Sequence, residues 1–467
     1  MNETVLSSPT SNVLIIDALS LTGSQSLSVT QGTVAVVDFS NSGNLTLSGN
    51  FSNYGTLYAV SSNPAMTNVN ISAINIFNNQ NAVITTVLPN GGFAGLSNLY
   101  SALNLTLNAT NNITNFGTIS SAGSLTAIAG GTITNGIING ATAGAQSAVM
   151  QAMTNLNLQA SQIINSGTLA SQLANINATC ATINNAGIMQ TALGNINIQS
   201  LTNSLQINNS LGSIFALSDM SFKTLNGLLT PDFSSGASLN LIGGELSATN
   251  ISFNSEHGWI DIKANKIDGG LAIKGGGAAI SVASGDLRFT AFDVTGDPII
   301  SAPGNLDLTG TTFNPQLPSD YIALAGGNIT GGAVDINTNG GQLILSAGYK
   351  FTVGANPGCT NCTGEFTIDT KTIITPGASI SLAGSTLGTT SAIASGAVTI
   401  QAPGAIEVGT ITTSGVTGSG ANAGSITINA GGNVKTGNIF AAGGGGVAGI
   451  DGIFITPISP GSAATGA

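Results

Sequence analysis

Residues 155–199 read NLNLQASQIINSGTLASQLANINATCATINNAGIMQTALGNINIQ, and the pattern returns every 20 residues. The segment 155–158 has counterparts at 175–178 and 195–198, and 165–167 returns at 185–187. Apolar and polar residues alternate within each copy, which is typical of a strand with one buried face. Short strands that recur at this spacing indicate the coils of a parallel β-helix. We therefore predict an all-β fold with about three strands in each coil.

Glycine and asparagine at the strand ends predict the turns, since both residue types tolerate positive φ. The same turn is found at 113–119 and 163–169. Gly117 and Gly167 are two and a half periods apart, so we interpret residues 141–150 as a loop insertion. Asparagines at equivalent places on successive coils are also expected to form ladders of side-chain amides.

A second repeat lies near the C-terminal end of the sequence. Positions from Val398 to Ile411 recur 28 residues later, from Ile426 to Ile439, with a glycine-rich loop at 415–424 between the copies. Short strands are predicted between the two repeats. These strands are Leu239–Ile242, Trp259–Lys263, Leu306–Leu308, Leu343–Leu345 and Ile380–Leu382.

Composition divides the chain into three predicted regions. Residues 1–222 form β-helix repeats with an uncharged core, 223–395 continue the helix with more charged faces and loop insertions, and 396–467 are glycine-rich repeats with a frayed end. No Asp, Glu, Lys, Arg or His occurs from residue 39 to residue 218. Because 42% of the chain is hydrophobic and only 6% is charged, the composition argues against disorder.

Charge and hydropathy exclude several partners. The net charge is −11 and every basic residue lies at Lys223 or later, so nucleic acid and anionic lipid are not expected to bind. No apolar run is long enough to predict a transmembrane helix. The N-terminal residues lack a basic segment and Asp17 interrupts their apolar run, so no signal peptide is predicted. If the protein is exported, we expect this chain to be a segment of a longer one, or its start to be wrongly assigned.

The turns at 113–119 and 163–169 and the block GSITINAGG at 424–432 resemble the repeats of filamentous haemagglutinins, a family of exported bacterial proteins. This resemblance implies a right-handed parallel β-helix, export across the outer membrane and a role in adhesion. The family's secretion domain usually carries Asn-Pro-Asn motifs, whereas the nearest segment here, 88–91, reads LPNG. The chain therefore resembles an interior piece of a shaft, or a divergent member of the family.

The charge-rich segment 255–268 contains the candidate ligand patch. Its members are Glu256, His257, Trp259, Asp261 and Lys263. In a strand, Trp259, Asp261 and Lys263 lie on one face, with Ile260 and Ile262 on the other. An exposed Trp beside carboxylates can bind sugar rings or take part in acid–base chemistry. The alternative is a solvated strand face with a partly packed Trp.

The cysteines predict local structure and no metal site. Cys359 and Cys362 follow a turn signal, and we predict either a disulfide that fixes the loop at 356–364 or two free thiols. A second ligand pair for a metal is missing, because His257 is the only histidine. Cys180 alternates with apolar residues and is predicted to be a small core residue. No catalytic residue and no cofactor is predicted.

The sequence favours a non-enzymatic, adhesin-like β-helix shaft that is secreted or displayed at the cell surface, in association with a bacterial outer membrane. Its expected partner is a host or neighbouring cell surface, with carbohydrate and self-association as further options. Two alternatives remain open. One is a β-helix polysaccharide lyase or hydrolase, and the other is a structural component of a surface layer or sheath.

Overall fold

The computed structural model describes residues 3–7, 13–21, 25–93, 99–100, 103–136, 147–224, 238–332, 334–354 and 365–445. Strands make up 57% of the structure and helix 1%, and the strands form long parallel sheets. The predicted parallel β-helix is therefore confirmed. The chain folds as two compact units, the first of residues 1–225 and 242–249, the second of residues 226–241 and 250–467.

In the first unit, successive coils stack their strands in three parallel ladders, each strand pairing with its counterpart one coil later. The strands of the first ladder are Glu3–Leu6, Ser26–Val29, Phe51–Asn53, Ile76–Asn78, Ile113–Asn115, Thr132–Asn135, Gln162–Asn165, Thr182–Asn185 and Leu205–Asn208. The strands of the second ladder are Leu14–Asp17, Val34–Asp38, Thr56–Val60, Val83–Thr85, Thr118–Ser121, Val149–Ala152, Thr168–Ser171, Ile188–Thr191 and Ser213–Ala216. The strands of the third ladder are Asn44–Thr46, Asn68–Ala73, Asn104–Ala109, Leu125–Ala129, Leu156–Gln159, Ile176–Thr179, Ile196–Gln199 and Asp219–Lys223. A 3₁₀ helix, Ala18–Leu21, follows the first strand of the second ladder.

The register confirms the 20-residue repeat. Leu156 pairs with Ile176, and Ile176 pairs with Ile196, so equivalent residues stack directly on successive coils. All three side chains are fully buried. Stacking aliphatic side chains in this way completes the burial that a single coil cannot achieve alone.

A ladder of buried asparagines runs beside this apolar core, as predicted. Its members are Asn53, Asn78, Asn115, Asn135, Asn165, Asn185 and Asn209. Each side-chain amide donates to the side-chain carbonyl of the next, at 2.7 to 2.8 Å. Asn165 also donates to the backbone oxygen of Ile188 at 3.1 Å. Because buried amides need partners, the ladder lets polar side chains occupy the interior.

Positive φ does not explain the glycines of the Asn-x-Gly turns, so this part of the prediction is wrong. Gly167 and Gly187 are not among the glycines with positive φ. A Cβ at Gly187 would instead lie 2.1 Å from the backbone oxygen of Gly167, on the preceding coil. Glycine is needed there because neighbouring coils approach too closely for any side chain. Positive φ does explain the Gly243-Gly244 turn, where φ is 72° and 70°.

The insertion predicted at 141–150 ends earlier than expected. Val149 and Met150 belong to a regular strand and pair with Thr118 and Ile119. Asn135 pairs with Asn165, so the coil between them is ten residues longer than its neighbours. The extra length therefore lies before Val149, and residues 137–146 fall outside the described part of the chain.

In the second unit, strands of the second and third ladders merge. Ile380–Gly388, for example, pairs with both Ile329–Thr330 and Asp335–Asn337. The strands of this merged ladder are Lys266–Gly275, Leu287–Val294, Leu306–Asp307, Thr312–Phe313, Ile329–Thr330, Asp335–Asn337, Ile380–Gly388, Ile406–Thr412, Val434–Thr436 and Ile439–Phe440. The strands of the first ladder are Trp259–Ala264, Gly277–Val282, Pro298–Ala302, Tyr321–Ala325, Leu343–Ala347, Val398–Ala402 and Ile426–Ala430. Leu239–Ile242 and Glu245–Asn254 contribute residues to both units.

The C-terminal repeat has the predicted register. Val398 pairs with Ile426 and Ile411 pairs with Ile439, a shift of 28 residues in both ladders. The five strands predicted between the repeats are also present, although several extend further than the sequence indicated.

An antiparallel hairpin interrupts the coils of the second unit. Its strands are Tyr349–Val353 and Phe366–Ile373, with Phe351 opposite Ile368. The hairpin packs on an apolar cluster of the first ladder formed by Ile299, Ile322 and Leu324, which are buried. Pro298–Ala302 and Tyr321–Ala325 are consequently buried on both faces.

Candidate functional site

The strand Trp259–Ala264 has the alternation that the sequence predicts. Ile260 and Ile262 are fully buried, whereas Trp259, Asp261 and Lys263 share the outer face and are partly exposed. Glu256 and His257 lie in the turn before this strand. Glu256 adopts a left-handed φ of 46°, and its backbone N–H donates to the side chain of Asn254 at 3.0 Å.

Trp259 packs on the neighbouring coil. It pairs with Gly277, and a Cβ at Gly277 would lie 2.4 Å from Cε3 and Cζ3 of the indole ring. The ring therefore covers the backbone of Gly277. This contact favours the interpretation of Trp259 as a partly packed surface residue over that of a sugar-stacking platform.

A cleft of about 440 Å³ opens between the outer face of the first ladder and the hairpin. Phe351 and Val353 of the hairpin form one wall. The floor contains Ile299 with the hydroxyl-bearing Ser281 and Ser301. The cleft thus has an apolar wall and a partly polar floor within a single unit.

Asp261 and Lys263 also line the cleft. Lys263 Nζ lies 2.8 Å from Asp261 Oδ2, and the two side chains are 32% and 16% exposed, respectively. The other carboxylate oxygen, Asp261 Oδ1, is buried and has no hydrogen-bond partner. An unpartnered buried carboxylate oxygen of this kind destabilises the folded state.

Sequence reasoning found one side of this cleft and missed the other. Asp261 and Lys263 were identified from strand alternation, but Phe351 and Val353 were not. The available signal was the alternation of Tyr349, Phe351 and Val353, which predicts a strand with one apolar face. The predicted disulfide residues Cys359 and Cys362, with the rest of the loop at 356–364, lie outside the described residues.

Cys180 lies in the core of the first unit, as predicted, and is 4% exposed. Burial raises the pKa of its thiol to about 12. The thiolate form is therefore negligible near neutral pH, and the residue acts as a small apolar side chain.

A second surface feature lies on the first unit, at the turn between the second and third ladders. Met153, Leu173, Leu193 and Leu217 occupy this turn on successive coils, and we call them the apolar corner. Their side chains are 45%, 54%, 58% and 55% exposed. Leu173 N donates to Met153 O at 2.9 Å, which holds two of them on adjacent coils. Exposed apolar residues that form a contiguous patch are typical of interaction surfaces.

Comparisons with protein-family models, curated proteins and solved structures found no match. The resemblance to filamentous haemagglutinins therefore stays a prediction from sequence motifs. Within the described ranges, the structure has no helix of the length and apolarity needed to span a bilayer.

Proposed function

We propose that this protein is a non-enzymatic, adhesin-like β-helix shaft that mediates contact with a host or neighbouring cell surface. The observation that supports this most directly is the hairpin with its cleft, raised on the outside of a repetitive scaffold. Aliphatic side chains and paired asparagines fill the interior of the coils. A partner can therefore contact only the side chains on the outer surface of the coils.

The surface chemistry supports weak, repeated contacts. Outward asparagines of the first unit stack on successive coils, as where Asn197 donates to Asn177, and Asn177 to Asn157, each at 2.9 Å. Such columns present neutral amides at a regular spacing along the coils. Many weak contacts at fixed spacing raise overall avidity without a single strong site. The resemblance to filamentous haemagglutinins further supports an extracellular location, in association with a bacterial outer membrane.

Adhesion is tested with beads coated with the purified protein. We expect the beads to bind a panel of bacterial and eukaryotic cells more strongly than albumin-coated beads, and soluble protein to compete. Failure to bind any cell type would contradict the proposal.

Incubation with soluble polysaccharides tests the enzymatic alternative, since a lyase or hydrolase would generate new chain ends whereas an adhesin would not.

A structural role in a surface layer or sheath is the second candidate. It is favoured by the apolar corner, because exposed Met and Leu side chains repeated on four coils suit association between copies. Light scattering across a concentration series tests it. Assembly that is lost when Leu173 and Leu193 are replaced by Asn, without cell binding by the wild type, would favour this candidate.

A further inference from the structure

We propose that the cleft beside the hairpin binds one ring of a neutral sugar, a hexopyranose at the end or branch of a surface glycan. This inference rests on the proposed adhesive function, for which it names the ligand class and the contacting residues. Two independent observations carry it: the mixed polar and apolar lining of the cleft, and the Asp261–Lys263 ion pair at its edge.

The size and lining of the cleft fit a small amphipathic ligand. Its volume of about 440 Å³ is within the range of ligand pockets in proteins, roughly 300–1,000 Å³. Such pockets combine apolar walls with a few placed polar groups. A hexopyranose has a matching division, with C–H groups on its ring faces and hydroxyls around its rim.

The polar groups of the cleft favour a neutral ligand over a charged one. Asp261 and Lys263 form an ion pair, so their charges largely cancel at the site. Asp261 Oδ2 accepts from Lys263 and has a second lone pair, and a sugar hydroxyl is a donor that can use it. A charged ligand would have to compete with Asp261 for Lys263, or with Lys263 for Asp261.

Register aligns further hydroxyl groups with this ion pair. Lys263 pairs with Ser281, and Ser281 pairs with Ser301, so the three side chains point outward from consecutive coils. Adjacent parallel strands lie about 4.8 Å apart. The floor of the cleft therefore has one polar side chain on each of three adjacent strands, spaced so that a sugar ring lying across these strands could contact them.

The hairpin supplies the apolar surface. Phe351 and Val353 line the cleft and also pack against the apolar cluster beneath the hairpin, so their positions are fixed before a ligand arrives. An aromatic ring in a preformed wall contributes contact area at little entropic cost. Phe351, and not Trp259 with its ring over Gly277, is the residue on which we expect the sugar to pack.

Saturation-transfer NMR with the whole chain tests this assignment. The probes are glucose, galactose, mannose and N-acetylglucosamine, with glucuronate as a charged comparison. We expect at least one neutral sugar to bind the wild type in preference to glucuronate. Asp261→Asn and Phe351→Ala should each weaken this binding by about tenfold, since one removes a charged acceptor and the other the apolar wall.

Two matched variants serve as controls. Asp335→Asn changes an exposed strand carboxylate of the same unit, and Phe366→Ala removes a hairpin aromatic that packs on the cluster without lining the cleft. Both should leave sugar binding within about twofold of the wild type, which is an ordinary margin for changes away from a site. If Phe351→Ala disturbs the hairpin, Phe351→Leu keeps an apolar wall and should retain most of the binding.

The outcomes separate this inference from the proposed function. If no neutral sugar binds, if glucuronate is preferred, or if Asp261→Asn and Asp335→Asn behave alike, the sugar site is wrong. If wild-type beads adhere to cells and the Asp261 and Phe351 variants adhere equally well, adhesion stands and this site is not its cause. If sugars bind the cleft but beads never adhere, the adhesive function fails while the site remains.

Discussion

The two units build the same kind of coil with different chemistry. In the first unit, each coil repeats the contacts of the previous one, and the described side chains from residue 39 to residue 218 carry no charge. In the second unit, neighbouring coils differ, strands merge, and ion pairs such as Asp261–Lys263 and Glu407–Lys435 occur on the outside. In the repetitive unit, each side-chain amide can hydrogen-bond to the equivalent amide on the next coil. In the irregular unit, each ion pair places two charged side chains at one specific position.

This difference indicates where stability and recognition reside. A buried amide ladder needs an identical partner above and below, so a substitution in it affects at least two coils. A surface ion pair involves only its two members and contributes little to stability when exposed. We expect the first unit to be sensitive at its inward positions, and the second to tolerate changes in its outer charges.

The largest expected effect is in the apolar core of the first unit. Ile196 is fully buried between Ile176 and Met220, so Ile196→Asp buries a carboxylate without a partner. We expect a loss of about 4 kcal/mol or more in the free energy of unfolding, measured by denaturant titration. Asn197→Asp, one residue away on the outer face, should cost less than about 1 kcal/mol. Equal losses would show that the inward and outward assignments are wrong.

The next largest effect is expected in the asparagine ladder. Asn165 donates to Asn185 Oδ1 at 2.7 Å, and Asn165→Asp replaces this donor with a carboxylate that faces acceptors. We expect a loss of about 3 kcal/mol at neutral pH. The loss should shrink at acidic pH, because a protonated carboxyl group again has a hydrogen to donate.

Asn197→Asp is the matched control for the ladder, since Asn197 forms the same kind of amide contact to Asn177 but is only partly buried. Its smaller loss should vary little with pH. A pH dependence of the same size in both variants would mean that burial does not distinguish the two columns.

A smaller effect is expected at the glycine contacts between coils. Gly187→Ala places a Cβ against the backbone oxygen of Gly167, and the coils must separate to accept it. Overpacking of this kind costs about 2 kcal/mol. Gly332→Ala in the second unit is the control, because no heavy atom lies within 4 Å of the added Cβ. Similar melting temperatures for the two variants would contradict the close-approach explanation.

The sequence predicted the repeating parts of the fold and not its exceptions. Leu156, Ile176 and Ile196 could be aligned because each coil has the same apolar face, and Cys180 could be placed in the core by the same alternation. On the described coils, no other hairpin matches that of Tyr349–Val353 and Phe366–Ile373, so no period revealed it. The cleft joins Asp261 to Phe351 across a large sequence separation, which spacing alone cannot predict.

The reason for the turn glycines shows a similar limit. Sequence patterns cannot distinguish a glycine that needs positive φ, such as Gly243, from one that needs space, such as Gly187. The two requirements differ only in what the neighbouring coil places beside the residue. Local pattern therefore predicted the position of the turn and gave the wrong physical cause.

The smallest expected effect compares one acid from each unit. In the second unit, burial and the neighbouring Asp320 carboxylate raise the pKa of Asp297 to about 6. A hydrogen bond donated by the backbone N–H of Asp320 at 2.7 Å acts to lower this pKa but does not outweigh the burial. In the first unit, burial acts to raise the pKa of Asp38, but hydrogen bonds from Ser62 and Ser40 outweigh it and lower the pKa overall.

The two acids should therefore respond to pH in opposite directions. A native pKa above the ordinary value of 3.8 means that Asp297 stabilises the fold at low pH and loses this contribution as pH rises from 3.8 to about 6. Asp38 stabilises the fold above 3.8 and loses its contribution as pH falls through its lowered native pKa. Melting temperatures of Asp297→Asn at pH 4 and pH 7, and of Asp38→Asn at pH 2 and pH 4, each subtracted from the wild type at the same pH, should change with opposite sign as pH rises. A common sign would mean that the hydrogen bonds at Asp38 do not offset its burial.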